Sequence, residues 1–163
     1  MTPEAAFTQN EIFEGGDKYT DNPNDPGKGT KWGFSQLAYP NVDIKNLDRA
    51  TALAMYITDY WNKSSCGKLK PELQYVMVDT AFNCGVDNAI KILQEASGAE
   101  VDGVFGSETL TKSDSATIGE YLFLREVYYA KIVEHRQSQI EFLGGWTNRN
   151  TQILSLYKTG KLA

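Results

Sequence analysis

Residues 71–82 read PELQYVMVDTAF, and this stretch decides the fold class. It predicts a helix that begins near Pro71 and whose apolar side chains cover every side: Leu73, Tyr75, Val76, Met77, Val78 and Phe82. A helix that is apolar all round is a buried helix, so we expect this one to form the axis of the core. Asp79 lies inside it, and a buried carboxylate needs an ion-pair or hydrogen-bond partner.

Helical periodicity extends on both sides of that stretch. Thr2-Pro3-Glu4 predicts the start of a first helix, which should run to about Phe13. Further helices are predicted to begin after Asp48, after Asp87, near Ala116 and after Thr147. The fold class is therefore mainly α, without internal repeats or a long flexible linker.

Arg125 and Arg149 fall on the inward stripes of the last two of these helices. They would form ion pairs with buried acids, for which Asp79 and Glu14 are the candidates. Alternatively, each guanidinium lies at the edge of the core with its charged end in water. The sequence leaves both arrangements open.

Length and charge limit the function classes. The chain has 163 residues, so we expect one domain, and its net charge of −5 argues against non-specific nucleic-acid binding. It contains no apolar run of about 18 residues, so we expect no stable membrane insertion. Its N-terminus, MTPEAAFTQNE, lacks the pattern of a signal peptide.

Metal and thiol chemistry have little support in the sequence. Two cysteines, Cys66 and Cys84, and one histidine, His135, do not give the spacing of a zinc site. Cys84 lies among apolar helical residues and is interpreted as a small buried hydrophobic residue. A disulfide between the two cysteines stays open, because sequence gives no distance.

The exception to the helical pattern is residues 15–35, GGDKYTDNPNDPGKGTKWGFS. Turn formers crowd its middle, while Lys18-Tyr19-Thr20 and Lys31-Trp32-Gly33-Phe34 are segments that could pair as a small hairpin. A stretch of this length between helices is usually functional. Its three lysines predict a locally basic groove: Lys18, Lys28 and Lys31.

Glu14 is the candidate catalytic residue because it ends the first helix, directly before Gly15 and Gly16. The negative end of the helix dipole favours the protonated carboxyl group that a general acid needs. The two glycines leave room for a bulky ligand. A solvated glutamate before an ordinary glycine cap would give the same pattern.

Glycoside hydrolysis needs a second group across the sugar from the acid, and Asp25 and Thr30 are the candidates in the loop. Asp25 could instead open an Asx turn, and Thr30 could be an ordinary hairpin residue. Tyr19, Trp32 and Tyr39 are aromatic side chains that would cover the apolar faces of sugar rings or else hold the loop to the domain. Of these, Trp32 is the strongest candidate for a groove.

These residues resemble the family-108 glycoside hydrolases, peptidoglycan-cleaving N-acetylmuramidases that are common among phage endolysins. Near the N-terminus, the similar blocks are Glu14-Gly15-Gly16, Asp25-Pro26-Gly27-Lys28-Gly29-Thr30 and Thr30-Lys31-Trp32-Gly33-Phe34-Ser35. Further along, they are Tyr60-Trp61, Asp79–Gly85, Leu93-Gln94, Asp102–Thr109 and Gly145–Arg149. The blocks span nearly the whole chain in the family's order. Lys28, where the family has glycine, and the additional Asp17-Lys18 depart from the pattern.

The resemblance implies a lysozyme-like, mainly helical fold with a small β-hairpin, and Glu14 as the catalytic acid. It implies a catalytic region over residues 1–86 and a peptidoglycan-binding region over residues 87–163, which we expect to share one core in a single domain. We expect Tyr19, Trp32 and Asn83 to bind substrate, and the resemblance implies that the partner is the glycan strands of peptidoglycan. No metal or organic cofactor is implied, and we expect a monomer.

We therefore expect an endolysin that hydrolyses the β-1,4 bond between N-acetylmuramic acid and N-acetylglucosamine and so lyses bacteria. It would be made in the host cytoplasm, without a signal peptide, and would reach the cell wall after a separate protein has opened the membrane. Two alternatives stay open: a lytic transglycosylase, which releases an anhydro sugar, and a non-catalytic wall-binding protein built on Asp102–Thr109 and Trp146–Arg149. The inverting or retaining outcome also stays open, because it depends on the separation of the carboxylates.

Overall fold

The computed structural model describes residues 1–21 and 28–162. These residues form seven α-helices and one two-stranded antiparallel sheet, which confirms the mainly α prediction with a small hairpin. The helices are α1 (Pro3–Glu14), α2 (Arg49–Tyr56), α3 (Pro71–Cys84), α4 (Val86–Ser97), α5 (Ser107–Ser113), α6 (Ile118–His135) and α7 (Ile140–Lys158). The strands are β1 (Thr30–Lys31) and β2 (Phe34–Ser35). A π-helical segment lies at Ile57–Asn62, and short 3₁₀ turns lie at Cys66–Lys68 and Gln137–Gln139.

The chain divides into two compact units, which we call the N-terminal unit (Thr2–Asp59) and the C-terminal unit (Tyr60–Ala163 with Met1). The division falls inside the π-helical segment and not near residue 86, where the family resemblance places the end of the catalytic region. Helices α3 and α4, on either side of residue 86, lie in the same unit and pack against each other. A single core shared by residues 1–163 stays a prediction.

Helix α3 is the central helix of the C-terminal unit. Every residue from Leu73 to Ala81 is buried, as expected for a helix that is apolar all round. It packs against α4 and α6, and α6 packs in turn against α7. Gly85, with a φ of 90°, separates α3 from α4 and occupies the N-cap of α4. The predicted cap at Asp87 is therefore wrong, since Asp87 lies within the first turn.

Asp79 is fully buried in α3 and lies between two arginines. Arg125 Nη1 lies 2.6 Å from Asp79 Oδ2, and Arg149 Nη2 and Nε lie 2.7 and 3.0 Å from Oδ1. Burial opposes ionisation of this carboxyl, but the two guanidiniums outweigh it and hold the pKa of Asp79 below its ordinary value. One buried carboxylate thus joins α3 to α6 and α7.

Helix α7 begins at Ile140, well before the start that the sequence predicts after Thr147. The pair Gly144-Gly145 hides this part of the helix, because glycine disfavours helix formation. Packing overrides that cost: the Trp146 ring lies 4.7 Å from the Tyr129 ring, centroid to centroid, and the two are stacked. The Thr147 hydroxyl caps no helix and donates instead to Glu126 Oε2 at 3.0 Å.

The hairpin of the N-terminal unit differs in register from the predicted one. Thr30 pairs with Ser35, so Trp32-Gly33 is the turn rather than part of a strand. Both turn residues have positive φ, 56° for Trp32 and 80° for Gly33, which is the two-residue turn that matches the twist of a hairpin. The segment Lys18-Tyr19-Thr20 contributes an isolated bridge from Thr20 to Thr30 and no strand.

No helix in the described part of the chain is both long enough and apolar enough to cross a membrane. Cys66 is buried, Cys84 is half-buried, and both are free thiols. Cys66 and Cys84 therefore form no disulfide with each other.

Candidate functional site

Glu14 is the last residue of α1 and is half-buried. The helix ends there because Gly15 takes a left-handed φ of 80°, and the N–H groups of Gly15 and Gly16 both donate to the Glu11 carbonyl. A Cβ placed on either glycine would meet no other described residue within 4 Å. The backbone that follows Glu14 is thus bare of side chains and uncrowded, as a site for a bulky ligand requires.

An ion pair between α1 and α2 fixes the last turn of α1. Arg49 Nε lies 2.7 Å from Glu11 Oε1, and Nη2 lies 3.2 Å from Oε2 and donates to the Thr8 hydroxyl at 3.0 Å. The guanidinium also lies over the Phe7 ring, 5.5 Å from its centroid. Because Glu11 lies close to one turn before Glu14, this pair sets the direction of the helix end that carries Glu14. Sequence reasoning missed the pair, since no spacing rule links residues 11 and 49.

The hairpin turn is tied to the same end of α1. The Trp32 N–H donates to the Gly16 carbonyl at 3.1 Å. The Trp32 indole Nε1 donates to the Leu47 carbonyl at 3.1 Å, and its ring packs on Phe7 with centroids 6.3 Å apart. These contacts hold the hairpin to the N-terminal unit and place Trp32 beside the glycines that follow Glu14. A contact between Trp32 and sugar stays a prediction.

Thr30 is positioned through its backbone. Its N–H and carbonyl pair with those of Thr20 at 2.8 and 2.9 Å, while Ser35 faces it across the hairpin. Thr30 therefore lies in the same hairpin as Trp32, whose N–H is bonded to Gly16 after the end of α1. Asp25, the other predicted partner of Glu14, lies outside the described residues.

Tyr19 lies against Gly29, which has a φ of 95°. A Cβ at Gly29 would overlap the Tyr19 hydroxyl, so glycine is needed here both for its backbone conformation and for this close approach. Burial raises the pKa of the Tyr19 hydroxyl, and so do the carboxylates of Asp21 and Asp43. The Tyr19 hydroxyl therefore lies in the field of two acids, and a locally basic groove stays a prediction.

Tyr39 is anchored by both ends of its side chain. Its hydroxyl donates to Asp59 Oδ2 at 3.1 Å, and its ring meets Phe34 edge-on at 5.4 Å. These contacts favour the interpretation that Tyr39 holds the loop in place.

Asn83 belongs to the C-terminal unit, near the end of α3. Its side-chain Nδ2 donates to the Asp79 carbonyl at 2.8 Å, and the residue is exposed. The predicted contact of Asn83 with substrate stays a prediction.

The block Asp102–Thr109 is organised by one buried amide. Gln94 Nε2 donates to Asp102 Oδ1 at 2.7 Å and to Thr109 Oγ1 at 3.1 Å. Gln94 Oε1 accepts from the N–H groups of Asp102 at 3.1 Å and Gly103 at 2.9 Å. Satisfied buried amides of this kind hold a loop in one conformation. These polar groups therefore serve the fold of the segment before α5.

The chemistry available at the end of α1 is that of a carboxyl group. Among residues 1–21 and 28–162, no three His, Cys, Asp or Glu side chains lie close enough together to hold a metal ion. Glu14 stands at a helix end, beside two glycines and a hairpin turn, where a carboxylic acid can donate a proton to a bound ligand.

Comparison with known proteins gives family matches over two adjoining parts of the chain, and it also gives similar solved structures. Residues 10–85 match the family model Glycosyl hydrolase 108, and residues 88–151 match the model described as Predicted Peptidoglycan domain. The solved structure of Brucella abortus SagA is similar over 98% of this chain and 97% of that chain, with 25% identity and a TM-score of 0.81. No curated protein matches the chain. The family resemblance inferred from the sequence is thereby confirmed.

Proposed function

We propose that this chain is a peptidoglycan hydrolase that cleaves the β-1,4 bond between N-acetylmuramic acid and N-acetylglucosamine, because residues 10–85 match the glycosyl hydrolase 108 family and residues 88–151 match a peptidoglycan domain. The position of Glu14 supports this proposal most directly. It ends α1, precedes two glycines, and lies beside a hairpin turn that is bonded to Gly16. A proton donor in such a place can reach the bridging oxygen of a sugar chain lying along the bare backbone.

In the proposed reaction, Glu14 protonates the glycosidic oxygen while the bond to the anomeric carbon of N-acetylmuramic acid breaks. Positive charge develops on that sugar ring, and Asp25 with Thr30 stabilises it or orients the attacking water. The water oxygen bonds to the anomeric carbon and its proton passes to a carboxylate. One water is consumed for each bond cut. Tyr19 and Trp32 bind the sugar rings.

Mass spectrometry of the products tests the bond and the reaction type. Purified peptidoglycan digested with the protein should yield fragments that end in reducing N-acetylmuramic acid. A lytic transglycosylase would release anhydro fragments that are lighter by one water, and that result would replace the proposal. New free amine ends without new reducing ends would indicate an amidase and would refute it.

The second candidate, a non-catalytic wall-binding protein, has weaker support. The Asp102–Thr109 block is engaged with Gln94, and Arg149 of the other block is engaged with Asp79. Both blocks thus direct polar groups into the C-terminal unit. A turbidity assay on permeabilised bacteria decides between the two candidates when it is run with the wild type and Glu14→Gln. The enzyme proposal requires lysis by the wild type alone; binding by both proteins without lysis would favour the wall-binding candidate.

The biological role that we propose is that of an endolysin, made in the host cytoplasm and active as a monomer on the cell wall once the membrane is opened. Expression inside bacteria should leave the cells intact until chloroform permeabilises the membrane, and turbidity should then fall. Lysis without any permeabilising agent would contradict this role.

A further inference from the structure

A cleft in the C-terminal unit lies apart from the hairpin and from Glu14 in the sequence. It has a volume of about 530 Å³ and is bordered by the end of α6, the 3₁₀ turn Gln137–Gln139 and the first turns of α7. That volume lies within the usual range for sites that hold a small organic ligand. The family matches assign no role to the side chains that line it.

Two aromatic walls of this cleft are held rigidly by the core of the unit. Trp146 stacks on Tyr129, whose hydroxyl accepts from Arg125 Nε at 2.7 Å. The Tyr128 hydroxyl accepts from Asn88 Nδ2 at 3.1 Å. Rigid aromatic faces cost little conformational entropy when a ligand binds, so these walls are already formed for one.

The charge of the cleft is opposite to that of the whole chain. Lys131, His135 and Arg136 line it, and none of its seven described lining residues is acidic. The protein as a whole carries a net charge of −5. A basic cleft on an acidic protein attracts an anion locally, and an arginine fork is suited to a carboxylate.

We propose that this cleft binds the peptide stem of peptidoglycan, with a stem carboxylate at Lys131 and Arg136 and an apolar face of the ligand against Trp146. The inference rests on the proposed function for its choice of polymer. The stem is the favoured part because an intact glycan strand is uncharged where the lactyl group is amide-linked, whereas the stem carries free carboxylates. The cleft would thus hold the strand by its peptide, separately from the sugar chemistry at Glu14.

Isothermal titration with a soluble muropeptide tests this proposal. The probe is the N-acetylglucosaminyl-N-acetylmuramyl tetrapeptide, which lacks the bond that the enzyme is proposed to cut. The free acid should bind at least about tenfold more tightly than the same molecule with amidated carboxylates, because charge-assisted hydrogen bonds are the strong ones. Equal affinity for the two forms would overturn the proposal, as would absence of binding.

A matched pair of variants locates the site. Lys131→Ala with Arg136→Ala should weaken binding of the free acid by about tenfold. Lys158→Ala with Lys161→Ala removes the same charge, with Lys158 about 18 Å from Trp146 along α7, and should change affinity by less than about twofold. Equal losses in the two double variants would indicate a general charge effect and would overturn the assignment. Tighter binding of a phosphate-bearing wall polymer than of the muropeptide would also overturn the choice of ligand.

Failure of this inference can be distinguished from failure of the proposed function. The release of reducing ends from glycan strands stripped of their peptides reports on the Glu14 site alone. If the wild type releases reducing ends but binds both muropeptide forms equally, the cleft inference fails and the enzyme proposal stands. If the wild type prefers the free acid but releases no reducing ends, the enzyme proposal fails and stem binding at the cleft stands.

Discussion

Replacement of Asp79 by asparagine should destabilise the C-terminal unit more than any exposed substitution. Asp79 and Arg125 have fully buried side chains, and three nitrogens of Arg125 and Arg149 lie 2.6–3.0 Å from the carboxylate. Arg125 Nη2 is buried without a hydrogen-bond partner among the described residues, and Nε donates to the neutral Tyr129 hydroxyl, so loss of the Asp79 charge leaves this buried guanidinium without a charged partner. Removing one partner of a buried pair costs about 3–5 kcal/mol.

Urea unfolding followed by circular dichroism measures this loss, and thermal melting gives a second readout. At about 2–4 °C per kcal/mol for a chain of this size, Tm should fall by roughly 6–20 °C. Glu95→Gln is the matched control, because Glu95 is an exposed acid in the same unit, and it should change the free energy of unfolding by less than about 0.5 kcal/mol. A loss below about 1 kcal/mol for Asp79→Asn would refute the reasoning that an ion pair in the core holds these helices together.

The difference in free energy of unfolding between wild type and Asp79→Asn should be constant above about pH 5 and should shrink as pH falls below about 4, because the pKa of Asp79 is held below its ordinary value. Urea titrations at a series of pH values measure this difference, and a difference that widens in acid would contradict the prediction. Burial raises the pKa of the Cys66 thiol to about 12. In the Cys84→Ser variant, a thiol reagent at pH 8 should therefore react with Cys66 only after the protein unfolds. Rapid labelling of the native protein would contradict this prediction. Arg49→Ala should lower Tm by roughly 2–4 °C, because the substitution removes the ion pair with Glu11. The control Lys45→Ala should leave Tm unchanged. Equal shifts in the melting curves of the two variants would count against a stabilising role for the Arg49–Glu11 pair.

The helices of the C-terminal unit were largely predictable, because their signals are local. The apolar run in residues 71–82 predicts a buried helix, and Leu73–Ala81 is buried without interruption. The start of α7 was not predictable, because the two adjacent glycines are visible in the local sequence, whereas the stacking of Trp146 on Tyr129 that compensates for them forms only after folding. The N-cap of α4 at Gly85 was also missed: aspartate is a favoured N-cap residue, but α4 already begins at Val86, before Asp87.

The candidate site was predictable where it depends on residue type and position along one helix. Glu14 before two glycines can be recognised at once, and the structure places it at the end of α1. The hairpin register was not predictable, because Trp32 adopts a positive φ that few bulky residues take, and its bonds to Gly16 and Leu47 stabilise that conformation. The Arg49–Glu11 pair joins residues that are close only after folding, so no pattern in the sequence could reveal it.

The rate at which Glu14→Gln releases reducing ends from purified peptidoglycan tests the central claim most directly. If Glu14 is the general acid, kcat should fall by about 10²–10⁴-fold, while circular dichroism and Tm stay those of the wild type. Glu4→Gln, at the other end of α1 with a side chain that is 68% exposed, should keep the wild-type rate. A Glu14→Gln protein that works within about twofold of the wild type would contradict the assignment of Glu14.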